Sequence, residues 1–311
     1  MPLLRLQPHL FASLPAHSSL TANEARPQLQ SFAGDALHEA LEFLHTIPST
    51  FTTDPKLRAS PPSEAKVKLL RKWRDPSTNN TVDKAPGAEF WVCRQSEHVN
   101  ANTQGTASWE EFENGLRSNH AENEMDYTPS VTSVEQLMQW SRSDIGNIET
   151  QGVAFKDVDM EINLITHTFH PGALIAPRSF ISLTISAAYD NTQAPTHENA
   201  QSRPLKGFIT AQIPLRSTAS STPPGLHQKI VASVPKRAIF ASYASVEHVT
   251  LLPPTGENNL SLIEWTMATT SDAGGSIPQW VQRNWTMGGV PRAVVADVGL
   301  FLGWTMRRRS S

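Results

Sequence analysis

A single cysteine, Cys93, stands among 311 residues. That excludes an internal disulfide and every cysteine-built zinc ribbon or finger, and it fits a reducing compartment. Excess charge is also missing. With 26 Lys and Arg against 29 Asp and Glu, the formal net charge is −3, and the one dense basic run is Arg307-Arg308-Arg309, so no nucleic-acid partner is expected. No stretch supplies the ~20 clean apolar residues of a spanning helix. The nearest, residues 290–306, carries Arg292 and Asp297 and reads as an amphipathic helix that buries one face and can touch a membrane surface. The chain has no G-x-S-x-G elbow, no H-E-x-x-H, no G-x-x-x-x-G-K-[ST], no G-x-G-x-x-G and no C-x-x-C, which removes the nucleophile elbow, the helical zinc site, the phosphate-cradling loops and the dithiol. No cofactor or metal is expected.

What is present reads as a helical first half and a β second half. Hydrophobic residues make up 39% of the chain and proline occurs 23 times, which suggests long loops around a smaller ordered core. From residue 20 to 47, Leu29, Phe32, Ala36, Leu37, Ala40, Leu41 and Leu44 recur at helical spacing until Pro48. A short basic helix is expected over 63–73 and a strand over 89–94. Two helix starts follow, Ser108 with Glu111 and Thr132 with Glu135, each in the capping-box pattern.

Residues 157–170, 179–187, 207–215, 238–252 and 260–269 alternate with a period of two, which predicts an antiparallel sheet with one covered and one wet face. Polar stretches at 190–206 and 217–229 read as surface loops, and 255–259 as a hairpin turn. Ser276 and Pro278 open a terminal helix interrupted at Gly288-Gly289 and Pro291.

Few side chains suggest chemistry. His167 and His170, three apart on a strand, point to opposite faces and make no shared metal site. His120 and Glu124 share a helix face, but His120 continues the packed stripe of Trp109, Phe112 and Leu116. Asp157-Val158-Asp159 puts both acids on the solvent side of a strand, and Cys93 is an inert buried thiol. Glu264 and His248 stay open as lone polar groups inside a cavity, where an unpaired charge is costly and therefore often functional. A strongly curved sheet covered by one terminal helix leaves an apolar space between them, the default site for a small molecule.

The segment Ser271-Asp272-Ala273-Gly274-Gly275-Ser276-Ile277-Pro278-Gln279-Trp280-Val281 resembles the D-x-G-G-x-I-P-x-W joint of the StAR-related lipid-transfer (START) superfamily. Gly288-Gly289-Val290-Pro291 is similar to its phosphatidylcholine-transfer branch. Ala176-Pro177-Arg178-Ser179-Phe180 resembles the P-R-D-F strand start, with Ser179 in place of the usual Asp. The likeness covers about residues 85–306. More narrowly, Trp91…Arg94…Ser96…His98, Gly105-Thr106-Ala107-Ser108-Trp109 and Asp297-Val298…Phe301-Leu302…Trp304 resemble a fungal START-like family carried as a domain of unknown function.

The resemblance implies an α+β helix-grip fold: a curved antiparallel sheet packed around a long C-terminal helix, with an internal hydrophobic cavity. It divides the chain into an N-terminal helical arm and linker (1–84), a ligand-binding domain (85–306) and a basic tail (307–311). Strand alternation supplies the expected lining: Met160, Ile162, Leu164, Ile181, Leu183, Ile185, Ile209, Ile213, Trp265 and Met267, with Arg178 as a polar member and Val281 and Trp285 from the lid. The expected partner is one lipid or other hydrophobic small molecule, bound and exchanged at a membrane surface by a cytoplasmic protein. The competing expectation is a non-redox cyclase of fungal secondary metabolism, with Arg178, His170, His248 and Glu264 moving protons. A third is an interaction protein whose loops carry the contacts.

Overall fold

Alternation over the second half of the chain builds strands, as a period of two requires. The computed structural model describes residues 2–20, 25–75, 87–169, 175–190, 204–254 and 260–310; His170, the turn at 255–259 and most of the 190–206 stretch lie outside them. Its long strands are β1 Lys66–Arg74, β2 Glu89–Val99, β3 Val131–Gln139, β4 Val153–His167, β5 Arg178–Asp190, β6 Lys206–Arg216, β7 Ser242–Leu251 and β8 Leu262–Asp272. They form one curved sheet in the order β1-β2-β8-β7-β6-β5-β4-β3, antiparallel at each junction. The longer helices are α1 Leu29–Thr50, α2 His120–Tyr127, α3 Pro224–Ser233 and α4 Val290–Arg309, with a short helical turn at Trp109–Phe112.

Three expectations change. Residues 66–74 are strand where a helix over 63–73 is expected: Val67 and Leu69 alternate with Lys66 and Lys68, and β1 pairs along β2 from Lys68↔Gln95 to Arg74↔Glu89. A domain boundary at residue 84 would therefore cut the sheet between two paired strands. Residues 131–139 are also strand, not the helix expected from Thr132. Register shifts at 131/133 and 136/138 in the β3–β4 pairing break the period of two, which is what made the segment look helical. The 217–229 stretch runs into helix α3. By contrast, the Ser108 box is real: Ser108 N–H donates to Glu111 Oε2 at 2.8 Å and Glu111 N–H to Ser108 Oγ at 3.4 Å.

The sheet is buried on both faces. Phe32, Ala36, Leu37, Ala40, Phe43 and Ile47 of α1, with Leu4, Phe11 and Leu14 of the N-terminal arm, pack on the face carrying Met160, Ile162, Leu164, Ile181, Leu183, Ile185, Ile209 and Ile213. The other face holds α4 through Val294, Val298, Phe301 and Leu302, which meet Val92, Phe112, Phe208, Val249 and Trp265. The face read as wet is thus the one that grips the C-terminal helix, and its Asn163, Ser182, Ser186 and Thr210 are all buried.

Two contacts hold α4 along its length. Ser60 Oγ donates to Val295 O at 2.6 Å and accepts the Gly299 N–H at 2.8 Å. The three terminal arginines are the helix's last turn, not a free tail. Arg309 binds both carboxylate oxygens of Glu111, the capping-box residue, at 2.5 and 2.6 Å, and Arg308 lies over the Trp304 ring at 4.7 Å.

A Cβ on Gly299 would stand 2.3 Å from Pro61 O and 2.7 Å from Ser60 O, both backbone atoms. Gly299→Ala is therefore expected to destabilise by about 1–3 kcal/mol, although alanine is the better helix former by roughly 0.5–1 kcal/mol. Urea denaturation checks this, and an unchanged midpoint would mean that the 60–62 strap yields freely.

Candidate functional site

Under α4 the sheet leaves a chamber of about 490 Å³, within the roughly 300–1,000 Å³ of small-molecule sites. A larger open groove of about 790 Å³ runs along the outer side of α4, against Pro61 and Pro62. The chamber's walls come from alternate residues of one sheet face, so pairing register sets its rows. Arg94, Met267 and Glu247 stand abreast on β2, β8 and β7. Ser245 and Thr269, then Tyr243 and Ser271, lead on toward the loop after β8. From Met267 to Ala273 that path is about 20 Å, at ~3.3 Å per residue.

The first row is a charged floor. Arg94, 1% exposed, sends Nη2 to Glu247 Oε1 at 3.2 Å, and its guanidinium lies 3.8 Å above the Trp265 ring, a favourable cation–π placement. Trp265 Nε1–H donates to the same Glu247 oxygen at 2.7 Å. Arg94 Nε and Nη1 are buried without a hydrogen-bond partner.

Asp297 of α4 and Glu124 of α2 line the same space. Burial pushes the Asp297 carboxyl up to about 7; Arg94 opposes the shift, and Glu124 and Glu247 add to it. Glu124 is raised as well, chiefly by burial, with His120 opposing and Glu247 adding. The floor can therefore offer unsatisfied N–H donors beside the Asp297 carboxyl, which burial lifts to about 7.

The far end is apolar and is flanked by residues 273–289. Phe169, Ile175, Phe180, Ile277, Val281, Met287 and Val290 line it. Gly274 and Gly275 turn at φ 62° and 63°, a left-handed conformation that favours glycine, and Gly274 N–H donates to Asp272 Oδ1 at 2.9 Å. Gln282 ties this segment to itself: its Oε1 accepts the Ala273 N–H at 2.9 Å and its Nε2–H donates to Ile277 O at 3.1 Å. Arg178 Nε–H donates to Ala273 O at 3.0 Å. His167, beside Ser130 Oγ at 3.0 Å, is lowered to about 4 by burial and is neutral.

Of the residues expected to line the site, Arg178, Trp265, Met267 and Val281 do. Met160, Ile162, Leu164, Ile181, Leu183, Ile185, Ile209 and Ile213 face α1 across the sheet and do not line the chamber, because α1 and not α4 covers the apolar stripe. Trp285 faces the outer groove under the Arg58 guanidinium at 4.3 Å. His248 bonds Tyr189 Oη at 2.8 Å on the α1 side, lowered to about 4 by burial, and Glu264 is exposed; neither reaches the chamber.

The floor residues Arg94, Glu124, Glu247 and Asp297 were not anticipated as a site. The available signal was Asp297, an acid between Val294, Val295, Val298 and Phe301 in an apolar helix.

Residues 91–305 match the model of a family described as a protein of unknown function, DUF3074. No curated protein matches the chain. Among solved structures, human StAR-related lipid transfer protein 5 aligns with a TM-score of 0.51 at 13% identity, over 91% of this chain and 100% of that one. Human STARD10 gives 0.47 at 12%, over 95% and 86%. At 13% identity the first likeness speaks for the fold, which is the START helix grip. Among the described residues, no helix is long and apolar enough to cross a membrane.

Proposed function

We propose that this chain, which belongs to the DUF3074 family, binds one lipid or similarly hydrophobic molecule in the chamber under its C-terminal helix. The observation that carries the reading is the chamber's polarity: an apolar passage ends at a buried arginine with two unsatisfied nitrogens. Buried donors of this kind call for an acceptor, and a polar end on an apolar ligand supplies one. Removing the rest of such a ligand from water is worth about 25 cal/mol per Å². The fold shared with a human protein named for lipid transfer is consistent with this use of the space.

Exchange proceeds through the lid, residues 273–289. Trp280 and Met287, 61% and 52% exposed, dip into the interface of a membrane while the Gln282 bonds to Ala273 and Ile277 open. Whether the molecule is carried between membranes or held in place is read from the same experiment. Protein purified from its own host is weighed under native conditions and then extracted with organic solvent. A bound hydrophobe at one per chain is expected, and labelled vesicles then test its transfer. Protein that is empty on purification and also fails to take up single-chain amphiphiles would overturn the reading.

A further inference from the structure

We propose that the groove on the outer side of α4 docks an extended peptide segment of a partner protein, apolar along its middle and carrying two carboxylates about seven residues apart. The surface lies outside the chamber, and its test does not depend on what the chamber holds.

The groove forms where two stretches of backbone run side by side. Ser60 meets α4 at Val295, a Cβ on Gly299 would stand 2.3 Å from Pro61 O, and one on Gly303 would stand 3.5 Å from the Pro62 ring. On the helix, Arg292, Ala296, Gly299, Gly303 and Arg307 follow one another at intervals of three and four, so they share one face. Small residues in the middle keep the floor low. The proline wall carries no N–H, so the trough offers apolar contact more than hydrogen bonds.

Charge indicates what lies in it. The stripe begins and ends on an arginine, and no lining residue is acidic. Arg58, over the Trp285 ring at the front end, is already balanced by Asp54 at 2.8 Å. Arg292 and Arg307 stand about 22 Å apart along the helix at ~1.5 Å per residue. An extended peptide covers that distance in about seven residues at ~3.3 Å each. A carboxylate at each end then meets a guanidinium, and apolar side chains between them fill the floor.

Other occupants suit the trough less well. A second copy of the chain laid α4 on α4, in either direction, sets arginine against arginine at both ends. A flat bilayer reaches the rim arginines but not the floor between them, and so gains charge contacts without the apolar burial.

The test uses the full chain and a fluorescein-labelled peptide with glutamate at its first and last positions, about seven residues apart, and leucine and alanine between. Fluorescence anisotropy is expected to show it binding roughly tenfold tighter than the same peptide with lysine in both places. That gap should close as salt rises from about 0.05 to 0.5 M. Arg292→Glu together with Arg307→Glu should turn the preference toward the lysine peptide. Should that variant fold poorly, Arg292→Glu alone should erase the preference. Gly303→Leu adds its first carbon at ordinary contact distance, and should keep the melting temperature while weakening the glutamate peptide about tenfold by filling the floor. Equal affinity of the wild-type chain for the two peptides, or an unchanged preference in the reversed variants, overturns the inference. So does failure of the wild-type chain to bind the glutamate peptide; if phosphatidylserine vesicles then sediment the wild type but not Arg292→Glu, this face is a membrane contact instead.

Discussion

Replacing Arg74 by alanine is expected to cost about 3–5 kcal/mol of stability and to release the N-terminal arm, because removing one partner strands buried charges. Arg74 is 1% exposed. Its Nη1–H donates to Leu4 O at 2.7 Å, and its guanidinium stands 3.7 Å from Glu39 and 3.9 Å from Glu89. Those two carboxylates hold the arm: Glu39 accepts the N–H groups of Leu3 and Leu4 at 2.6 and 3.1 Å, and Glu89 that of Leu6 at 2.6 Å. Without the arginine, two acids remain near one another with no cation between them, only the backbone donors of the arm and the Trp91 Nε1–H, which donates to Glu89 at 3.0 Å. Denaturant midpoints and hydrogen exchange over residues 3–14 measure both effects. A loss below about 1 kcal/mol with the arm still protected would show that the carboxylates do not depend on Arg74.

The second large effect is a dissociation between the two faces of the sheet. Leu183→Ala removes a fully buried side chain from the α1 side and is expected to cost about 2–5 kcal/mol, with ligand binding unchanged in the folded fraction. Met267→Trp puts bulk into the chamber from the row that holds Arg94 and Glu247. It should abolish ligand uptake while changing stability by about 1 kcal/mol or less, since the added ring enters open space instead of a packed core. Thermal melts and ligand titration on the same two proteins settle it. Loss of binding in the leucine variant, or retained binding in the tryptophan variant, would put the ligand elsewhere.

Much of the fold was legible because its signals are local. Ser108 and Glu111 announce a helix start within four residues, and Ile181, Leu183 and Ile185 announce a strand. The joint at Asp272–Gly275 was legible because two left-handed residues leave glycine as the fitting choice. β1 was obscured because Lys66, Lys68, Arg71 and Lys72 dominate its composition, and β3 because its bulges spoil the period.

The site was less legible for a different reason. Alternation tells which residues share a face, never which element covers it. Here α1, far upstream in the chain, takes the oily face and leaves the polar one to α4. A buried polar face with a charged floor then reads like a solvated surface. Only a pairing across the sheet, such as Arg94 with Glu247, 153 residues apart in sequence, reveals otherwise.

The fastening of α4 also sets how the molecule can open. Anchored to Ser60 at mid-length and to Glu111 at its end, the helix behaves like a beam fixed along its rear half, with its front turn and the preceding lid left as the free overhang. Movement of that overhang breaks the part-buried Gln282 bonds and the Arg58–Trp285 contact but none of the packing around Phe301, so it draws on the energies of local opening and not on the global stability of the protein. Residence time of a guest and lifetime of the fold then become separate quantities. The Gln282 latch adjusts the first, and the double-sided core adjusts the second.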